Sequence, residues 1–198
     1  MYPLFESICL QDGKLLHAKW HALRFENTFQ TYFKRTPSFD LLGPFDIPKE
    51  FCNGTVKLKI LYNENSRILQ FQHYKIKNIQ SLKLQTTKDL DYSLKYCRRD
   101  SLEALFARRG YCDDILIVNK GKITDSSYAN IVFFDGNDWL TPDLPLLKGT
   151  CRARLLEQGV IREAELRVED LNRFKGLKLI NALRDMSQPM IPIKNIIY

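Results

Sequence analysis

Apolar and polar residues follow two rhythms along the first third of this chain. In LFESICLQDGKLL two apolar runs flank Gln11-Asp12-Gly13, and the Asp-Gly pair predicts a β-hairpin. In WHALRFENTFQTYFKR the period changes. Ala22, Phe25, Phe29, Tyr32 and Phe33 recur at helical spacing, which predicts a helix with one apolar face. His21, Arg24 and Thr28 lie on a neighbouring flank, and Thr36-Pro37 stops the helix. Pro44 and Pro48 punctuate a loop. Strict alternation returns in TVKLKILYNENSRILQFQHYKI on both sides of Asn63-Glu64-Asn65, predicting a second hairpin.

The remainder mixes the two rhythms. SLKLQTT reads as a strand. Asp100, with Glu103 three residues on, predicts a capped helix whose apolar face is Leu102, Leu105 and Phe106, with Gly110 just past its end. Ile115 to Val118 and Ile131 to Phe134 read as strands around GKITDSSYAN, and DGND follows as a turn. LLKGTCRARLLEQG predicts a helix that starts after Gly149, turns Leu155 and Leu156 inward and closes at Gly159. LKLINAL and MIPI suit final strands. The order lacks the regular βαβ alternation of a doubly wound sheet. The pattern predicts an α/β protein of the α+β kind in two domains. A small one covers 1–78 and a larger one, containing Lys95, covers 79–198, with the break near Lys77 to Ser81.

Composition narrows the function classes. A chain of 198 residues, 44% hydrophobic and 27% charged, can bury a core without staples. No apolar run reaches the roughly 18 residues of a membrane span. MYPLFESICLQDGK lacks the basic start of a secretory signal. Five cysteines without C-x-x-C spacing, and only three histidines, argue against a metal site and a disulfide framework; a reducing cytoplasm is expected. The net charge of +7 suits small anionic ligands as well as nucleic acid. Scattered basic residues, without an RNP or zinc-finger pattern, favour the small anion.

Four stretches carry residue types that do chemistry. Lys95 precedes Tyr96-Cys97-Arg98-Arg99. A lysine is nucleophilic when neutral, and nearby cations favour that state, though the same cluster also reads as a solvated basic patch. Gly149-Thr150-Cys151-Arg152 leads into a helix whose first N–H groups attract an anion such as phosphate, or are simply capped. Arg24 is placed to grip a phosphate bidentately, or else to sit in solvent. Asp125, between two apolar strands, reads locally as a turn acid; buried, it would need a positive partner. No Ser-His-Asp triad assembles, and G-x-S-x-G is absent.

Taken in order, these stretches resemble the landmarks of the class IV aminotransferases, the fold-type IV pyridoxal-phosphate enzymes. FES followed by HALRFENT resembles the F-E-[ST] strand and H-x-x-R-L helix, and Lys95 stands where the cofactor lysine is expected. GKITDSSYANIVFF resembles G-x-[IV]-x-E-x-x-x-x-N-[IL]-F, with Asp125 in place of the usual Glu and Asn130 matching. TPDLPLLKGTCRARLL resembles T-P…L-L-x-G-I-T-R, and LKLINALRDMSQPMIPI resembles F-x-x-N-A-L…P-[VI]. The resemblance spans nearly the whole chain. The Asn181-Ala182-Leu183 form is closest to the aminodeoxychorismate lyase branch.

The resemblance implies a fold-type IV architecture, like that of D-amino acid aminotransferase, and pyridoxal 5'-phosphate as cofactor. Lys95 would carry it as a Schiff base and move protons, Asp125 would pair with the pyridine nitrogen, and Arg24, Thr150, Cys151, Asn181 and Ala182 would hold the phosphate. Arg98, Arg99 or Arg152 would meet a substrate carboxylate. The implied protein is a cytoplasmic homodimer with a small anionic substrate, without metal, nucleic acid or membrane. Elimination of pyruvate from 4-amino-4-deoxychorismate, leaving 4-aminobenzoate on the folate route, is the first expectation and amino-acid transamination the second. A non-catalytic descendant or a basic nucleic-acid-binding module is the reading from another class. Two departures stand out. Asp125 is one methylene shorter than the family's Glu. The chain also starts almost at the first motif and is short from Phe39 to Thr55, so a reduced N-terminal domain is expected.

Overall fold

In the computed structural model, which describes all 198 residues, the first hairpin joins β1 (Leu4–Gln11) to β2 (Lys14–Leu15). Asp12 and Gly13 make the turn with φ of 49° and 74°, a conformation glycine adopts without strain and aspartate tolerates. β1 pairs along its length with β3 (Thr55–Tyr62), and β3 with β4 (Arg67–His73). The result is an antiparallel sheet of order β2-β1-β3-β4. Alternation sends Leu4, Ile8, Leu10, Val56, Leu58, Ile60 and Tyr62 to one face, where Phe25 and Phe29 of α1 (Ala18–Phe33) cover them. Each such side chain contributes about 1.5–3 kcal/mol over its exposed state.

Helix α1 is rotated from the expected face. Its buried residues are His21, Phe25, Thr28 and Phe29, whereas Tyr32 is 42% exposed. The cause is Glu6, which shares the inward face of β1 with Leu4 and Ile8 and draws the His21–Arg24 flank toward itself. The helix ends at Lys34, left-handed with φ 60°, before Thr36-Pro37 is reached.

This first unit comprises Met1–Ile76 together with Leu94–Arg98. Lys95, which its place in the sequence assigns to the larger domain, therefore belongs with β1. The Phe5 N–H donates to the Lys95 carbonyl (3.3 Å), Tyr96 bridges Leu4, and the Cys97 N–H donates to the Pro3 carbonyl (2.8 Å).

The second unit, Lys77–Ser93 with Arg99–Tyr198, holds two sheets. Its elements are β5 (Leu82–Thr87), α2 (Asp100–Ala107), β6 (Asp114–Asn119), β7 (Lys122–Ile123), β8 (Asn130–Phe134), β9 (Trp139–Pro142), α3 (Thr150–Glu157), β10 (Arg162–Ala164), β11 (Gly176–Ile180), β12 (Ile191–Pro192) and β13 (Ile196–Ile197). One sheet has the order β13-β5-β6-β7 and the other β10-β9-β8-β11-β12. Leu82, Leu116, Val118 and Ile123 of the first meet Ile131, Phe133, Leu177 and Leu179 of the second in one core. Val132 and Ile180 point to the opposite side of their sheet, where Cys151 and Leu155 of α3 pack. The expected cap of α2 is displaced by one residue. Arg99 is the N-cap, Asp100 opens the first turn, and no side chain caps the helix. Asp100 and Glu103 still place negative charge at its positive end. All five cysteines are free thiols, and no helix is long and apolar enough to cross a membrane.

Candidate active site

The candidate residues fall into two groups, one in each unit. In the first unit Glu6 is the hub. It sits at an inward position of β1, 1% exposed, and a buried carboxylate there requires donors. Arg24 supplies a fork, Nε to Oε1 at 2.8 Å and a terminal nitrogen to Oε2 at 2.5 Å, while His21 Nδ1 lies 2.7 Å from Oε2. Burial alone would raise the carboxyl pKa. The Arg24 charge and the bonds from His21 and Arg24 outweigh burial and hold it down at about 2. The His21 imidazole is pushed below its usual pKa by burial, against the pull of Glu6. Arg24 is thus fixed in direction by an ion pair within its own unit. Lys95 is half-buried, and its Nζ lies 4.8 Å from the Phe5 ring centroid. Its backbone has φ 49°, a left-handed state that is uncommon for residues other than glycine.

In the second unit Asp125 lies between β7 and β8 and is 4% exposed. Its Oδ1 accepts from Asn130 Nδ2 (2.8 Å) and its Oδ2 from the Leu147 N–H (2.9 Å). No cation is bonded to it, and burial pushes its pKa up to about 6 despite these bonds and the more distant Arg152 charge. Asn130 also donates to the Leu147 carbonyl at 2.8 Å, which leaves its Oδ1 facing Gly149. A Cβ at residue 149 would stand 1.9 Å from that oxygen, so only glycine fits. Gly149 then starts α3, whose first residues Thr150 and Cys151 are each 5% exposed and whose start carries no side-chain cap. Asn181 and Ala182 form a turn closed by the Asn181 N–H to the Arg184 carbonyl at 2.7 Å and the Leu183 N–H to Asn181 Oδ1 at 2.8 Å. Asn181 Nδ2 reaches the Tyr128 carbonyl at 3.5 Å, tying that turn to the loop that carries Asp125.

Two of the three arginines expected to meet a substrate carboxylate, Arg99 and Arg152, are engaged within the protein. Arg152, 5% exposed, donates to the Pro142 carbonyl (2.8 Å) and to Glu163 (2.7 Å), and so props β9 and β10. Arg99 donates to the Ser127 carbonyl (2.5 Å) and lies over the Tyr92 ring at 5.3 Å. Two residues that organise the site carried no expected role, Glu6 and Asn130. Each left a signal in the sequence: an acid inside the apolar run LFESICL, and an amide opening the apolar run NIVFF.

A buried acid whose bonding partners are all neutral, and a buried helix start without a side-chain cap, suit a ligand with a cationic ring nitrogen and an anionic end. The comparisons agree with that chemistry. The family described as Amino-transferase class IV matches residues 3–196, and the chain belongs to it. Membership makes the protein a pyridoxal-phosphate-dependent enzyme. An uncharacterised protein of Haemophilus influenzae is 37% identical over 188 residues, 94% of this chain and the whole of that one. A crystal structure from Haemophilus somnus 129PT, named as a candidate 4-amino-4-deoxychorismate lyase, is 35% identical with a TM-score of 0.82, covering 94% of this chain and 98% of that one. The pyridoxal-phosphate-bound form of a hypothetical aminotransferase of Mycobacterium tuberculosis shares the fold, with a TM-score of 0.75 at 16% identity over 96% of this chain and 79% of that one.

Proposed function

We propose that this chain is an aminodeoxychorismate lyase that removes pyruvate from 4-amino-4-deoxychorismate and leaves 4-aminobenzoate, the reaction that feeds folate synthesis. The observation that supports it most is the full-length similarity to the Haemophilus somnus protein of that name. The units suggest a small N-terminal and a larger C-terminal domain, and a cytoplasmic homodimer is the working assembly.

Lys95 is the cofactor lysine in this reading. Arg24, Thr150, Cys151, Asn181 and Ala182 would hold the phosphate, and Asp125 would pair with the pyridine nitrogen. Pyridoxal phosphate, when bound, supplies a sink for the electrons left on the substrate carbon. Lys95 takes the proton from the ring carbon that bears the amine and is suited to deliver one to departing enolpyruvate, so that the ether C–O bond breaks, the ring aromatises and pyruvate forms. Asp125 keeps a proton at the pyridine nitrogen, and its own burial, which costs energy when it is ionised, favours a cation beside it. Glu6 positions Arg24. Arg152 and Arg99 act on the protein, holding β9–β10 and the loop after Asp125.

The purified protein should be yellow, and borohydride should fix the cofactor on Lys95 in the wild type and not in Lys95→Ala. Supplied with aminodeoxychorismate, it should release pyruvate and 4-aminobenzoate in equal amounts. Amino transfer to 2-oxo acids without pyruvate release would replace this reading with amino-acid transamination. A colourless protein that takes up no pyridoxal phosphate would point to a descendant that has lost the chemistry.

A further inference from the structure

The first sheet has one face under α1 and one cationic face. Register puts Phe5, Ser7 and Cys9 of β1 on the side away from α1, opposite Leu61, Lys59 and Lys57 of β3, with Gln70 and Gln72 of β4 next in line. Lys14 of β2 joins the same side through Gln11. Not one carboxylate stands on this face: Glu6, the only acid in the four strands, points toward His21 and Arg24.

Two of the cations share one ring. Lys59 Nζ lies 4.9 Å from the Phe5 centroid and Lys95 Nζ 4.8 Å from the same point. Phe5 is 7% exposed, so the ring is a buried platform. Lys59 is half-buried, its ammonium meets the Phe5 face, and it forms no hydrogen bond or ion pair. Like charges gathered beside a low-dielectric ring repel, and an anion bound among them relieves the repulsion.

We propose that Lys59, with Ser7 beside it in register, receives the ring carboxylate of the substrate, the one retained in 4-aminobenzoate. This assignment rests on Lys95 being the reacting lysine. Both ammoniums lie over one ring, so an amine that meets Lys95 and a carboxylate held by Lys59 can belong to a single small ring carrying both groups. Lys59 then selects cyclic amino acids over simple amines.

The test is calorimetric titration of the full-length, cofactor-loaded protein with 4-aminobenzoate and with aniline, which lacks the carboxylate. Lys59→Met should weaken 4-aminobenzoate about tenfold to a hundredfold, the range of a charge-assisted bond. Lys59→Arg should recover part of the loss, and aniline should bind all three alike. Lys14→Met, with the same charge change at the exposed sheet edge, should bind 4-aminobenzoate like the wild type. Lys59→Gln carries the same comparison if Lys59→Met does not fold. Equal 4-aminobenzoate affinity in wild type and in the Lys59 variants, or none in the wild type, overturns the assignment. Pyruvate release by a wild type whose 4-aminobenzoate binding ignores Lys59 would sink this proposal and leave the lyase standing. Lys59-dependent binding in a protein that releases no pyruvate would do the reverse.

Discussion

Asn130 donates to Asp125 at 2.8 Å and to the Leu147 carbonyl at 2.8 Å, so one side-chain amide joins the acid of one loop to the loop that enters α3. With both bonds in place its oxygen stands against Gly149. The two most chemical stretches of the sequence are therefore one packed object.

Gly149→Ala tests that packing. The added methyl cannot coexist with Asn130 in its present position, so we expect a loss of about 1–3 kcal/mol of stability together with weaker cofactor uptake. Adding Asn130→Ser removes the obstructing oxygen. The double variant should melt above the value expected from adding the two single losses, and thermal melts of the four proteins would show it.

Asp125→Asn exchanges an acceptor-only group for one acceptor and one donor, opposite two donors, the Asn130 amide and the Leu147 N–H. Turnover should drop roughly 10²–10³-fold, the scale for losing a preorganised electrostatic partner. The cofactor should still bind in part through its phosphate contacts. Turnover of the variant and its visible absorbance separate the two effects.

Stability should respond to pH through Glu6. Its pKa of about 2 in the folded state lies below the ordinary 4.5, so its contribution is complete above pH 4.5 and is lost as pH falls toward 2. The full contribution is about 3 kcal/mol. Asp125 works in the opposite sense: a folded value of about 6 against 3.8 makes its ionisation unfavourable in the cofactor-free protein above pH 6, a penalty that vanishes below pH 3.8. Urea unfolding of wild type and Glu6→Gln should differ most above pH 4.5 and converge as pH falls from 4.5 toward 2.

Arg152 should behave as a prop. Arg152→Met, which leaves the Pro142 carbonyl without its donor, should cost about 1–3 kcal/mol. Glu163→Gln should cost about 1 kcal/mol or less, because Glu163 is half-exposed and its charge is screened. Neither change should raise KM for the substrate. A tenfold rise in KM at unchanged melting temperature would return Arg152 to the substrate.

Periodicity by itself determined both hairpins, all three helices and the buried strands around Asp125, because the side-chain rhythm of a helix or strand is a local property. The order of the motifs determined the family. Tertiary structure decided which side chains meet. Glu6 turned α1 about its axis because a buried carboxylate must find donors, and those on offer, His21 and Arg24, lie fifteen and eighteen residues away in sequence. It also brought Lys95 to the edge of β1, turned Arg152 inward to Glu163, and set Asn130 against Gly149. Such pairings depend on sheet register and close packing between distant segments, and no local pattern of apolar and polar residues encodes them.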